Sequence, residues 1–91
     1  MNNRILKEKL EKYFNITKKA LEIAKKNISK EKEAKEIIEM ASNYISDAEH
    51  FENKKDFVNA FAALNYAHGW IDSGARLKIF DVSDDKLFTI A

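Results

Sequence analysis

Three side chains whose types and spacing could support chemistry follow one another near the carboxyl end of the chain. They are His68, Asp72 and Arg76, each four residues after the one before. In a helix, residues four apart lie on the same side, one turn above each other. A histidine beside a carboxylate can act as a general base, and an adjacent guanidinium can hold an anion. The same side chains could instead form a structural polar ladder, in which Asp72 pairs with Arg76 and with His68.

Other features that catalysis or metal binding would require are missing from the sequence. The chain contains no cysteine, which excludes a thiol nucleophile, a disulfide and a thiolate metal ligand. It has no phosphate-binding loop and no nucleophile-elbow motif. His50 and His68 are distant in sequence, and neither has the short spacing to a second ligand that is typical of zinc sites. We therefore expect no catalytic residue, no metal and no cofactor, and we interpret the protein as a non-enzyme.

The stretch around His68 also has the composition of a binding surface. Tyr66 and Trp70 lie one helical turn apart, and such paired aromatic residues are frequent both at interfaces and in cores. Both glycines of the chain, Gly69 and Gly74, fall here, although each costs a helix about 1 kcal/mol relative to alanine. We interpret Gly74 as a point of close helix packing and Gly69 as room for a ligand or a partner side chain. The members of this candidate interaction strip are Asn65, Tyr66, His68, Gly69, Trp70, Asp72 and Arg76.

Charge is unevenly distributed along the chain, although the formal net charge is only +1. Residues 1–35 contain eleven basic and five acidic side chains, and the remainder contains five basic and ten acidic ones. A basic segment can meet phosphate, or it can be a solvated helix face that complements the acidic remainder. Nucleic-acid sites more often mix arginine with stacking aromatics, and lysine outnumbers arginine 14 to 2 here. Weak RNA binding is therefore the alternative function. Its candidate residues are Arg4, Lys7, Lys18, Lys19, Lys25 and Lys26.

Apolar residues recur with a helical period in three segments of the chain. We predict helices over about residues 4–28, 30–52 and 56–80, followed by a tail over 81–91. The chain has no proline and two glycines, which favours long helices over a turn-rich β domain. Asp56 is the predicted N-cap of the third helix. Because short connections make consecutive helices antiparallel, we predict one all-α domain over residues 1–91, an antiparallel up-and-down three-helix bundle with a short C-terminal tail.

The third predicted helix is apolar on almost every side, unlike the other two. A helix of this kind is normally covered on several sides, so its second apolar face needs a cover. We expect Leu87, Phe88 and Ile90 of the tail to fold back onto that face; the alternative is a partner chain. The second face consists of Ala63, Tyr66, Trp70, Leu77 and Phe80.

A family resemblance is carried by residues 61–77, which contain the sequence ALNYAHGWIDSGARL. This stretch resembles the archaeal domain-of-unknown-function family 357, and the chain length and helix order fit it as well. The resemblance implies a small three-helix bundle and an archaeal source, and it implies no activity. Residues 56–77 are more weakly similar to helical-hairpin interaction repeats and to HEPN-type bundles. The HEPN ribonucleases carry a histidine shortly after an arginine on one helix, and no histidine follows Arg76 or Arg4 in that way.

Together these patterns predict a non-catalytic protein-interaction or scaffold module that acts through its third helix. The expected partner is an unidentified protein or a second copy of the chain, with nucleic acid ranked below both. No apolar run approaches the roughly 18 residues of a membrane span. Residues 1–5 lack the apolar stretch of a signal peptide. We therefore predict a cytoplasmic location without membrane association.

Overall fold

Three helices make up most of the computed structural model, which describes residues 3–83 and 88. They are α1 (Asn3–Lys25), α2 (Glu31–Asn53) and α3 (Phe57–Arg76). The helices pack side by side in a body of 43 × 22 × 18 Å. The third helix is the central one, because it packs most extensively against α2 and then against α1, whereas α1 and α2 touch each other least. The predicted all-α three-helix bundle is therefore confirmed.

The core is built from the apolar stripes that the helical period predicts. Each stripe repeats every three or four residues, so it stays on one side of its helix. Many residues of the core are alanines, whose small side chains let the helix backbones approach closely. The buried apolar residues of the three helices are Leu10, Phe14, Ala20, Leu21 and Ala24 of α1, Ala34, Ile37, Ala41, Ile45 and Ala48 of α2, and Ala60, Ala63, Leu64, Ala67, Ile71 and Ala75 of α3.

The first helix ends at Lys25, earlier than the predicted end at residue 28. Its connection to α2 pairs instead with the segment that follows α3. The backbone N–H of Ser29 donates to the carbonyl of Ile79 at 2.8 Å, and an isolated antiparallel bridge joins Ile28 to Phe80. The connection that contains Ile28 therefore leaves the helix and pairs with residues about fifty positions later in the chain. The apolar period of a single segment does not reveal such distant contacts.

The third helix ends at Arg76, and the prediction that it continues to residue 80 is wrong. Lys78 has a φ of 62°, the left-handed conformation that commonly terminates helices. The N–H of Ile79 donates back to the carbonyl of Gly74 at 2.8 Å, and the N–H of Lys78 donates to the preceding turn at 3.2 Å. This is a Schellman motif with lysine at the position where glycine is usual. The apolar residues after Arg76 therefore keep the helical spacing in the sequence, although the helix itself ends at Arg76.

The connection between α2 and α3 is a tight turn with a side-chain cap. Lys55 has a φ of 59°, and the N–H of Asp56 donates to the carbonyl of Phe51 at 2.9 Å. The Asp56 carboxylate accepts from the backbone N–H of Asn59 at 3.2 Å and from its side-chain amide at 2.7 Å. The predicted N-cap at Asp56 is confirmed, and it sets where α3 begins.

Gly74 lies where α3 meets both α2 and the ring of Phe80. A Cβ at this position would stand 2.7 Å from Cδ2 of Phe80 and 3.2 Å from Cδ1 of Ile37. The Phe80 ring is only 1% exposed, and its backbone is paired with Ile28, so the ring has little freedom to move aside. The interpretation of Gly74 as a close-packing residue is confirmed.

The tail is described only in part, and it does not cover the whole second face of α3. Phe88 is buried and belongs to the core cluster, as docking of the tail requires. Leu87 and Ile90 lie outside the described residues. Tyr66 and Leu77 remain 62% and 63% exposed. The expectation that the tail covers the second face is wrong for these two side chains.

Candidate functional site

The members of the candidate strip on α3 have different neighbours, because α3 lies between the other two helices. Some of them face α1 and others lie on the side of α2. The remaining members are open to solvent. The members on the α1 side are Asn65, His68 and Asp72, those on the α2 side are Tyr66 and Trp70, and the exposed remainder is Gly69 and Arg76.

A cluster of five polar and aromatic side chains joins α1 to α3, and we call it the α1–α3 polar cluster. The Tyr13 hydroxyl donates to Oδ1 of Asn65 at 2.8 Å, and the Tyr13 ring stacks on that of His68 at 5.8 Å between centroids. Oγ1 of Thr17 lies 3.1 Å from Nδ1 of His68. Nε2 of His68 lies 3.7 Å from Oδ1 of Asp72. The histidine thus contacts a partner with each ring nitrogen and with its face.

Burial and charge fix the roles of these groups. Thr17 has no exposed surface, and the side chains of His68 and Asp72 are only 14% and 23% exposed. A carboxylate beside Nε2 favours the tautomer that is protonated there. Nδ1 is then left as an acceptor for the Thr17 hydroxyl. The polar groups of α3 that face α1 are therefore satisfied by α1 and by one another.

Tyr13 is held in its protonated form. Burial raises the pKa of its phenol, and the negative charge of Asp72 raises that pKa further. A tyrosine that serves as a base or nucleophile needs the opposite shift. The shift instead favours the neutral phenol that donates to Asn65.

Three surface cavities of the described residues, of about 580, 570 and 270 Å³, are lined by side chains other than those of the α1–α3 polar cluster. The geometry of the α1–α3 polar cluster is that of an interhelical contact which fixes the register of α3 against α1.

The predicted ion pair between Asp72 and Arg76 does not form in the part of the chain that the structure describes. The Asp72 carboxylate lies beside His68 instead. Arg76 is exposed at the last residue of α3, where the helix dipole favours a basic side chain. Of the predicted polar ladder, only the contact between His68 and Asp72 is confirmed.

The second surface consists of Tyr44, Tyr66 and Trp70, and we call it the α2–α3 aromatic face. The Tyr44 and Tyr66 rings stack at 5.3 Å between centroids and 27° between planes. Tyr66 is 62% exposed and Trp70, one turn later, is 38% exposed. Leu77 follows beyond the end of α3 and is exposed as well. This face is formed by side chains of two helices and remains open to solvent.

The predicted basic face of α1 is exposed along its length, but glutamates neutralise part of it. Half of its six side chains lie within ion-pair distance of a glutamate, and one of these pairs crosses to α2. The pairing reduces the positive charge that is available to a phosphate chain. The ion pairs are Lys18–Glu49 and Lys25–Glu22 at 3.5 Å and Arg4–Glu8 at 3.7 Å.

The remaining expectations concern ligands and membranes. No neighbouring atom lies within 4 Å of the place where a Gly69 Cβ would stand, so this glycine borders open space. Within residues 3–83 and 88, no three His, Cys, Asp or Glu side chains converge as a metal site. None of the described helices combines the length and the apolar character that crossing a bilayer requires.

Two residues of the polar cluster, Tyr13 and Thr17, are not among the site residues that the sequence predicts. The sequence does contain a sign that Thr17 has a polar partner, because this hydroxyl residue lies in the middle of a stripe of alanine and leucine. A polar group buried there needs a hydrogen-bond partner. Its partner, His68, is 51 positions away, so only the packing of α1 on α3 identifies it.

Residues 12–80 match the family model that is described as a protein of unknown function, DUF357. This range contains all of α2 and α3 and most of α1, and therefore both surfaces described above. Comparisons with curated proteins and with solved structures gave no match. The family match takes in well over half of the chain and agrees with the resemblance of the ALNYAHGWIDSGARL stretch. The chain belongs to the DUF357 family.

Proposed function

We propose that this protein is a non-catalytic interaction module that binds another protein through the α2–α3 aromatic face. The observation that carries this proposal is the exposure of Tyr66 and Trp70, at 62% and 38%. They are the two exposed aromatic residues of α3, whose Phe57 and Phe61 are partly buried against the core. Aromatic residues of this kind dominate the energy of protein interfaces.

The exposed rings leave a substantial driving force for association. Roughly 200 Å² of Tyr66 and Trp70 stays in contact with water when their fractional exposures are applied to typical aromatic areas. Covering that area is worth about 4–5 kcal/mol at ~25 cal/mol per Å². A few such residues at the centre of an interface are enough to dominate binding.

Part of the face is held by a contact between the two helices. Tyr66 is stacked on Tyr44, and both rings project from helices that pack along their length. Little side-chain entropy therefore remains to be lost on binding. This preorganisation suits a docking surface, and the α1–α3 polar cluster on the other side of α3 supports it by fixing that helix in register.

Capture from a lysate of the source organism tests the proposal. The immobilised wild type is compared with Trp70→Ala and Tyr66→Ala at moderate salt. Ile5→Ala is the matched control, because Ile5 is an exposed apolar residue (49%) on α1, outside the α2–α3 aromatic face. We expect a bound protein that the wild type and the control retain and that both aromatic variants lose.

Two results would contradict this proposal. One is the same set of captured proteins with all four forms of the protein. The other is RNA that all four forms retain equally and that added salt removes, since phosphate binding weakens steeply with salt. That second result would transfer the function to the basic face of α1.

A further inference from the structure

The α2–α3 aromatic face is bordered by acidic side chains on α2. Asp47 lies one turn after Tyr44, and Glu36 lies about two turns before it. Glu33 lies one turn before Ile37, whose side chain reaches α3 near Gly74. Residues three or four apart are neighbours on a helix surface, and eight residues lie about 80° apart round the helix at ~100° per residue. All three carboxylates are exposed, and these spacings place them at the α2 border of the aromatic face.

Basic side chains are fewer than acidic ones along this border. Lys32 lies one turn before Glu36, and Lys32 and Lys35, the two lysines of α2, line a surface cavity together with Ile28 and Ile38. The third helix contains no lysine, and its arginine is its last residue, Arg76. The carboxylates that border the aromatic rings therefore belong to α2, because the one acidic residue of α3, Asp72, lies in the α1–α3 polar cluster.

We propose that the occupant of the α2–α3 aromatic face is a cationic amphipathic helix of a partner protein. This inference rests on the proposed function and names the chemistry of the partner. The apolar stripe of such a helix would cover Tyr66 and Trp70, in the manner of a helix laid in a groove. Its flanking lysines or arginines would meet Glu36 and Asp47, and a cation over an exposed aromatic ring adds a further attraction.

Charge disfavours the other occupants. A symmetric dimer through this face would use the same patch on both copies, and would bring Glu36 and Asp47 of one copy towards the same acidic border of the other. The basic helix of a second copy, α1, has its apolar stripe buried in its own bundle. Nucleic acid and anionic lipid carry the same sign of charge as this border and are repelled by it.

The test uses the full chain and its single tryptophan, Trp70, as a fluorescent reporter on the face itself. The probes are two peptides of about 18 residues, or ~5 helical turns, with the same leucine stripe. One peptide carries lysine and the other carries glutamate at the flanking positions. The protein variants are Glu36→Lys combined with Asp47→Lys, and the control Glu11→Lys, which makes the same type of charge change at an exposed position of α1. Circular dichroism verifies that each variant is folded.

We expect the lysine peptide to change the Trp70 fluorescence in a saturable way and the glutamate peptide to bind at least about tenfold more weakly. The double variant should lose about tenfold in affinity for the lysine peptide, because two attractions become two repulsions. Glu11→Lys should bind like the wild type. Added salt should weaken the lysine peptide, since exposed charge pairs are screened.

Three outcomes would overturn the inference. Equal binding of the two peptides would show that only apolar contact matters, and the proposed function would stand. No binding of either peptide would remove the cationic helix as the occupant, while the capture experiment with Trp70→Ala would still decide the proposed function separately. A dimer in sedimentation experiments that is lost in Trp70→Ala would assign the face to a second copy of this chain.

Discussion

Substituting alanine for each of the two glycines of α3 should change stability in opposite directions. At Gly69 a Cβ would have no neighbour within 4 Å, so only the backbone effect remains. Alanine is about 1 kcal/mol better than glycine in a helix, and Gly69→Ala should raise the free energy of unfolding by about 0.5–1 kcal/mol.

At Gly74 the gain in helix propensity is outweighed by a steric clash of the new Cβ with its neighbours. The new Cβ would collide with Cε2 of Phe80 and stand 2.7 Å from Cδ2 of the same ring and 3.2 Å from Cδ1 of Ile37. Overpacking of this kind typically costs about 1–3 kcal/mol. Moving Phe80 aside would also disturb a side chain that is 1% exposed. After subtraction of the helical gain, Gly74→Ala should destabilise the protein by about 1–2 kcal/mol.

Thermal and urea unfolding of the two variants, followed by far-UV circular dichroism, measures these changes. For a domain of this size 1 kcal/mol corresponds to a shift in Tm of about 4–8 °C, so the two variants should differ by well over 4 °C. The double variant Gly74→Ala with Phe80→Leu should recover part of the loss if the ring is the obstacle. Equal shifts of the same sign for Gly69→Ala and Gly74→Ala would refute the packing argument.

Three further predictions concern the tail and the α1–α3 polar cluster. Phe88→Ala should lower the free energy of unfolding by about 3–5 kcal/mol because the ring is buried in the core; an unchanged urea midpoint would contradict its burial. Thr17→Val should cost about 1 kcal/mol, since it removes the hydroxyl beside Nδ1 of His68, and Thr17→Ser, which keeps the hydroxyl, tests whether the hydrogen bond is the cause. Because burial and Asp72 raise the pKa of Tyr13 in the folded protein, the folded state holds this proton more tightly than the unfolded chain. Stability should therefore fall as the pH rises above about 10, and Tyr13→Phe should lack that component of the pH dependence.

The sequence by itself determined the class of the fold and most of its core. The repeat of apolar residues every three or four positions was sufficient to place three helices and their buried sides, because a helix that packs on one side must carry its apolar residues there. Asp56 was recognisable as an N-cap, since its role depends only on neighbours such as Asn59. These features are local, and local preferences are encoded within a few residues.

The ends of two helices and the division of the candidate site were decided by the tertiary structure. Ile28 and Phe80 continue an apolar helical pattern, yet they leave their helices to pair with each other. The polar residues of α3 also looked like one strip with Tyr66 and Trp70, because a helical period shows which residues share a side but not which neighbour that side meets. Because α3 lies between α1 and α2, His68 contacts Thr17 of α1 and Tyr66 stacks on Tyr44 of α2. Contacts between residues so distant in the chain depend on how the helices pack together, and the sequence of a single helix does not contain that information.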